Sequence, residues 1–217
     1  MRASFSSSTF TPDRLVVSLD DVVSEKVTLL SGENRSRGAV LGKITLGAAS
    51  RAAKAGNTGN GAMTLDAETP ILAGAQVGVY KVVCIAAAGN GGTFRVTDPK
   101  GNVLGDVAVA ATFANQIKFS IADGDADFIV GDEIDVTIAA GSGKYKLATA
   151  AAVDGSAVPD AILAEDADGT NGDVPALVYT RGQFNDTAVT LGAGLTVATI
   201  KEGLRQKGID LITVQAA

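Results

Sequence analysis

The sequence predicts a mainly β protein with one short C-terminal helix, a small antiparallel β-sandwich-like unit in its middle and an extended N-terminal arm. Three observations predict it. Apolar and polar residues alternate with a period of two in Phe94-Arg95-Val96 and in Ile117–Ile121, the spacing of half-buried strands. Turn chemistry separates such runs at Asp98-Pro99-Lys100-Gly101-Asn102, Asp123-Gly124 and Gly131-Asp132; Pro99 presets φ for its turn, and Gly101 or Asn102 can take positive φ. The composition, with 26 glycines and 46% hydrophobic but only 5% aromatic residues, favours short strands and tight turns over long helices. A chain of 217 residues is long enough for one large or two small domains.

Residues 1–24 read as an extended arm. The Ser/Thr cluster, Pro12 and LVVSLDDVV carry too little apolar surface to order alone and are expected to order on a partner. A strand over Lys26–Leu30, a polar turn over Ser31–Arg37 and a second strand over Ala39–Thr45 follow. The Gly/Ala-rich stretch Gly47–Met63 reads as a surface loop, with residues 51–63 a flexible link. Residues 64–142 hold four apolar runs divided by turns, a self-contained antiparallel unit. Residues 143–217 contain PDAIL (Pro159–Leu163) and PALVYT (Pro175–Thr180) on either side of a loop of Asp, Gly and Asn. They close with a helix and a strand, Ile209–Val214. In the helix, TVATIKEGLRQKG, Thr196 is the N-cap, Ile200 and Leu204 share one face, and Gly208 is the stop. Gly203 inside it costs about 1 kcal/mol relative to Ala and is expected to be held by packing.

Charge and missing residue types exclude several functions. A net charge of −6 and a pI near 4.7 argue against wrapping nucleic acid, which needs a basic surface. There is no histidine, so the usual neutral-pH acid–base group and the commonest transition-metal ligand are both missing. The single cysteine, Cys84, lies in the apolar run YKVVCIAAA and is expected to be a buried thiol. A chain built without disulfides fits assembly in a reducing cytoplasm. The N-terminal sequence lacks an apolar signal region, and no run of eighteen apolar residues suggests a membrane span.

Motifs that carry chemistry fail on inspection. Gly141-Ser142-Gly143-Lys144-Tyr145 resembles a phosphate loop, but Ile138 stands where an earlier glycine belongs and Tyr145 replaces the magnesium-binding hydroxyl. Asp123, Asp125 and Asp127 alternate as in a calcium loop, yet Phe128 and Ile134 occupy the positions of its glycine and closing glutamate. The Asp166–Asp173 loop could gather oxygen ligands or be solvated turn residues. Asn34 and Asn185 fit the glycosylation pattern, which carries no weight without a secretory signal. Asp20 and Asp21 would point to opposite faces of a strand and so cannot converge. No catalytic residue, metal ligand set or cofactor is expected, and the chain does not read as an enzyme.

Two segments carry a family resemblance. VTLLSGENRSRGAVLGKIT (Val27–Thr45) and the order PDAIL, acidic loop, PALVYTRGQF (Pro159–Phe184) resemble the lambda-type head decoration proteins of tailed bacteriophages. The resemblance implies a structural virion protein on the outer surface of the capsid. Made in the bacterial cytoplasm, it would stabilise the expanded head against DNA pressure. Its partners would be the major capsid protein and other copies of itself, as a homotrimer at threefold positions, with neither nucleic acid nor membrane. Residues 25–50 and 143–217 would form the core of the decoration domain, and 64–142 would be an insertion absent from the smallest members. Carried onto this chain, the arm Ser4–Val23 would add a strand to the shell, with Phe5, Phe10, Leu15 and Val17 filling pockets. The alternative expectation is a carbohydrate- or receptor-binding β module displayed on the virion. Exposed aromatic side chains would be needed for it, whereas Tyr80, Phe94, Phe113 and Phe119 fall mostly within strands.

Overall fold

The structure, a computed structural model, describes residues 14–214. It is mainly β with one short helix near the C-terminal end, as the alternation and turn signals predict. In chain order the first strands are β1 (Val16–Leu29), β2 (Asn34–Arg35), β3 (Val40–Lys43), β4 (Leu46–Ala53), β5 (Ala62–Leu65) and β6 (Gly78–Ala88). Then come β7 (Gly91–Thr97), β8 (Val103–Ala108), β9 (Thr112–Asn115), β10 (Ile117–Ala122), β11 (Glu133–Ala140) and β12 (Tyr145–Leu147). The last elements are β13 (Pro159–Leu163), β14 (Ala167–Asp168), β15 (Val174–Asn185), α1 (Val197–Gln206) and β16 (Ile209–Ile212). The chain divides into two compact units, one of residues 1–41 with 159–217 and the other of residues 42–158.

In the first unit β15 is the central strand. Its first half pairs antiparallel with β1, from Ser24 opposite Tyr179 to Leu29 opposite Val174, and on its other edge with β13, Ile162 opposite Tyr179. Its second half pairs in parallel with β16, Gly182 opposite Ile209 through Asn185 opposite Ile212. Parallel neighbours need a crossover, and α1 supplies it. Thr196 caps the helix as its sequence suggests. Its hydroxyl accepts from Thr199 N (3.3 Å), and the Thr199 hydroxyl accepts from Thr196 N (3.0 Å), a reciprocal capping box. Ile200 and Leu204 then lie in a core with Leu15, Val40, Ile162, Phe184, Ile209 and Leu211. Tyr179 stacks on Phe184 at 5.1 Å between ring centroids.

Three expectations for this unit change. Residues 16–24, read as part of an arm, are in strand β1, because β15 offers Val16, Ser18, Val23 and Ser24 backbone partners the sequence does not advertise. The strand expected over Ala39–Thr45 is Val40–Lys43, and β1 finds β15 as its partner. Gly203 is not held by packing: nothing lies within 4 Å of where its Cβ would be. The helix is secured by Ile200 and Leu204, and Gly203 sits on its exposed side.

The second unit contains a sheet of order β4-β11-β6-β7-β8 and one of order β5-β10-β9. Both turn side chains into one core that includes Met63, Tyr80, Cys84, Phe94, Phe119, Phe128 and Ile134. Phe94 and Phe128 meet edge to face at 4.9 Å, a favoured aromatic arrangement. The Asp98 turn forms as its residues require: Asp98 accepts from Lys100 N and Asn102 N (2.9 and 2.8 Å), and Gly101 takes φ +89°.

Residues 51–63 do not read out as a flexible link. Arg51, Ala52 and Ala53 end β4, which pairs with β11, and residues 57–59 are fastened by side chains. The Asp132 carboxylate accepts from Thr58 N, Gly59 N and Ile129 N at 2.9, 2.8 and 3.0 Å. Asn57 bonds both backbone groups of Glu133. A Cβ at Gly59 or Gly61 would meet the Phe128 side chain at 2.4 or 2.5 Å. These glycines serve close approach to an aromatic ring, which composition cannot distinguish from slack.

Candidate functional site

The residues singled out for the arm separate on inspection. Phe5 and Phe10 lie outside the described residues. Leu15 is 3% exposed and belongs to the first unit's core, while its carbonyl accepts from Asn185 N at 2.8 Å. A side chain committed there is not free to fill a partner's pocket, so Leu15 leaves the candidate set. Val17 is 40% exposed and stays in it.

Beyond Val17 the β1 ladder breaks. Val16 is opposite Phe184 and Ser18 opposite Gln183, but the next pair is Val23 opposite Arg181. The stretch Leu19–Val22 therefore stands against Gly182 alone, a bulge of several residues. Asp21 holds φ +62° and Gly182 φ +136°. A Cβ at 182 would lie 3.2 Å from both Val22 Cγ2 and Phe184 Cζ. Glycine is thus required twice, by its backbone angle and by the room the bulge takes. Ser18 Oγ accepts from Asp20 N at 3.1 Å and donates to the Asp20 carboxylate at 3.3 Å, which tightens the turn. Leu19 is left 86% exposed, with Val23 at 47%.

A shallow cleft beside the bulge is lined by Ser18, Asp20, Asp21, Arg181, Gln183 and Asp210, among others. Three carboxylates face one guanidinium, and the Arg181–Asp21 separation is 3.8 Å between exposed groups, a weak pair. Strand alternation kept Asp20 and Asp21 apart on paper; the left-handed Asp21 removes that alternation. Leu19 was not singled out from the sequence. The adjacent aspartates inside an apolar run were the available signal for an interrupted strand.

The acidic loop between β13 and β15 has a structural task. Asp166 accepts from Arg37 N at 2.7 Å, Asp173 from Ser31 N at 2.9 Å, and Arg37 Nε donates to Ala164 O at 2.8 Å. The short strands β2 and β14 pair there, Asn34 opposite Asp168, and Gly32 and Gly169 exchange backbone bonds across the same seam. The Thr170 hydroxyl and then its backbone N–H hold the Asp168 carboxyl below its ordinary value. The two sequence segments that carry the family resemblance are therefore bonding partners within one unit.

Elsewhere the side chains serve packing. Tyr80, Phe94, Phe113 and Phe119 are all buried, so none offers a stacking face for a sugar ring. Cys84 is 1% exposed, and burial pushes its thiol pKa up, away from nucleophilic use. The strand after Gly143 is β12, so no helix N-terminus follows the loop that resembles a phosphate cradle. Among the described residues no group of three or more Cys, Asp or Glu side chains is placed to hold a metal ion, and no helix is long and apolar enough to cross a membrane.

Comparison with known proteins adds a family. The family model of Bacteriophage lambda head decoration protein D matches residues 6–209, a span that runs through both units. No curated protein matches the chain. Among solved structures, the chain is similar to Xanthomonas campestris FlgL in space group H3, with 21% identity over 48% of this chain and 33% of that one and a TM-score of 0.32. The same protein in space group C2 aligns with 21% identity, 49% and 33% coverage and a TM-score of 0.31. The chain spans about a third of the length of those relatives, and likeness at this score carries no argument.

Proposed function

The chain belongs to the bacteriophage lambda head decoration protein D family, a family of structural virion proteins, and from that premise we propose that it binds the outer surface of an expanded phage head and stabilises it against internal DNA pressure. The major capsid protein is the partner. The observation that carries this reading is the family match over residues 6–209; on it residues 1–13 add a strand to the shell, with Phe5 and Phe10 as anchors. Ordering such a segment costs about 1–2 kcal/mol per residue. Strand pairing, buried side chains and avidity between copies offset that cost; a homotrimer at threefold positions supplies the avidity. The second unit is an addition to a clamp domain formed by the first.

The test adds purified protein to expanded heads that lack it, counts bound copies and measures the temperature at which filled heads release DNA. Decoration with a raised release temperature is expected. Heads that stay bare at micromolar protein would end the proposal. Mass photometry that finds only monomers, free and on heads, would remove the trimer.

A further inference from the structure

The five-stranded sheet of the second unit turns one face to the core and the other to solvent. Tyr80, Val82, Phe94, Val96, Ile134 and Val136 are core, so alternation along β6, β7 and β11 sends their neighbours outward. The outer face is apolar at Val79 and Val103, 41% and 59% exposed, with Ile85 exposed in the β6 bulge. Its charges cancel within it. Arg95 donates to both oxygens of Asp106 at 2.9 and 3.0 Å, Lys54 and Lys81 reach Glu133 at 2.7 and 3.7 Å, and Asp135 stands opposite Lys81. Three cations thus meet three carboxylates in a chain whose net charge is −6, and the excess acid lies elsewhere.

We infer that this face packs on the same face of a second copy, as a two-fold contact between second units. Two observations select the occupant. Copies that each carry −6 repel one another, and a patch with both signs in equal number, already paired, is where two copies can meet without that repulsion. A strongly charged partner of either sign would find these groups already neutralised. The size also fits: five strands about 4.8 Å apart, with the eight residues of β11 at about 3.3 Å each, give a face of about 600 Å² per copy. A standard complex buries about 800 Å² per partner, so the contact is weak and reversible. A two-fold contact is isologous and therefore distinct from the threefold one proposed above; it ties a copy in one trimer to a copy in the next. The inference does not rest on binding to the head.

The experiment sediments the full chain to equilibrium from about 1 to 500 μM, the range of a weak interface, at low and high salt, with a melting curve for each variant. The average mass is expected to rise to twice that of the species present at the lowest concentration. Because the charges are paired within each copy, salt should move the midpoint by less than about twofold. Val79→Asp and Val103→Asp, which bring unpaired carboxylates into the contact, should each raise the midpoint by about tenfold or more and melt with the wild type. Val103, on the edge strand β8, serves alone if Val79→Asp does not fold. Val153→Asp, in the loop between β12 and β13, should leave the midpoint unchanged. A mass that stays constant over the whole range overturns the inference, as does doubling that both face variants retain. If the mass stays constant while Val103→Asp loses decoration of heads, the face meets the shell and the inference is again overturned. Bare heads with doubling intact would end the capsid reading and uphold this one.

Discussion

In the second unit the chain from Gly42 to Val158 closes a core on itself, whereas the first unit draws on residues 1–41 and 159–217 and closes only when they meet. The second unit's core is rich in rings, with Tyr80, Phe94, Phe113, Phe119 and Phe128; the first relies on aliphatic side chains around Phe184 and Tyr179. Both use aspartates to bind backbone N–H groups, a buried one in the second unit and exposed ones in the first. In the second unit Asp132 holds residues 58 and 59, and in the first Asp166 and Asp173 reach Arg37 and Ser31 across 129 and 142 residues. A unit made from the start of the chain is exposed to changes there. The unit that would grip a partner is thus the one whose fold depends on where the gripping segment ends.

Truncation should break that comparison most strongly. Deleting residues 1–13 is expected to leave both units folded and to abolish head binding. Deleting 1–24 also removes Leu15 from the core and the β1 pairing with residues 179–184, at least about 3 kcal/mol from the lost leucine alone. Hydrogen exchange should then show the first unit unprotected and the second intact. A protected first unit in the 1–24 deletion would refute the assignment of these residues to its fold.

Asp132→Ala should destabilise the second unit by about 3 kcal/mol, since buried backbone donors lose their acceptor, with exchange in the first unit unchanged. Acid sharpens the same contrast. Burial raises the Asp132 and Asp154 carboxyls, but hydrogen bonds to the former, and Lys146 and Ser156 beside the latter, outweigh it and leave both lowered. Lys54 lowers Glu133. A lowered carboxyl binds its proton later in the folded state than in the unfolded one. Its stabilisation is therefore present above the ordinary values of 3.8 and 4.5 and is lost as pH falls below them. Calorimetry below about pH 4 should show the second unit's transition falling faster than the first's. Equal decline would put the acid response elsewhere.

Gly182→Ala should cost the first unit about 2 kcal/mol, through φ +136° and the crowding with Val22 and Phe184. Thermal melting would detect it, and an unchanged midpoint would mean that the bulge relaxes freely. The smallest effects are gains. Gly203→Ala, in open space on α1, should stabilise the first unit by about 1 kcal/mol. Ala110→Gly, at φ +67°, should stabilise the second by about the same. Denaturant midpoints on single variants would check both, and a loss at either position would show a contact that the backbone geometry does not explain.

Much of the local structure was legible. The Thr196 cap, the Ile200–Leu204 face, the Gly208 stop and the Asp98 turn form where their residues require, because caps and turns are decided within a few positions. The family was legible for a different reason: its resemblance lies in runs of residues that include the Ser31–Arg37 turn and the Asp166–Asp173 loop, which bond to each other in this chain. The link at 51–63 and the extent of the arm were misread. Small residues next to a ring and small residues in a loop look alike in one sequence, and a strand's partner cannot be seen from the strand.

By itself the sequence determined the mainly β character, the position and caps of the helix, the absence of histidine chemistry and the family. Each follows from residue type, short-range spacing or a match along the chain. Only the tertiary structure decided that Val16, Ser18, Val23 and Ser24 pair with β15, that Leu15 is core, that Gly59 and Gly61 make way for Phe128, and that Leu19 stands outward on a bulge opposite Gly182. Those outcomes depend on groups brought together from tens to more than a hundred positions away, where packing and backbone pairing override local composition.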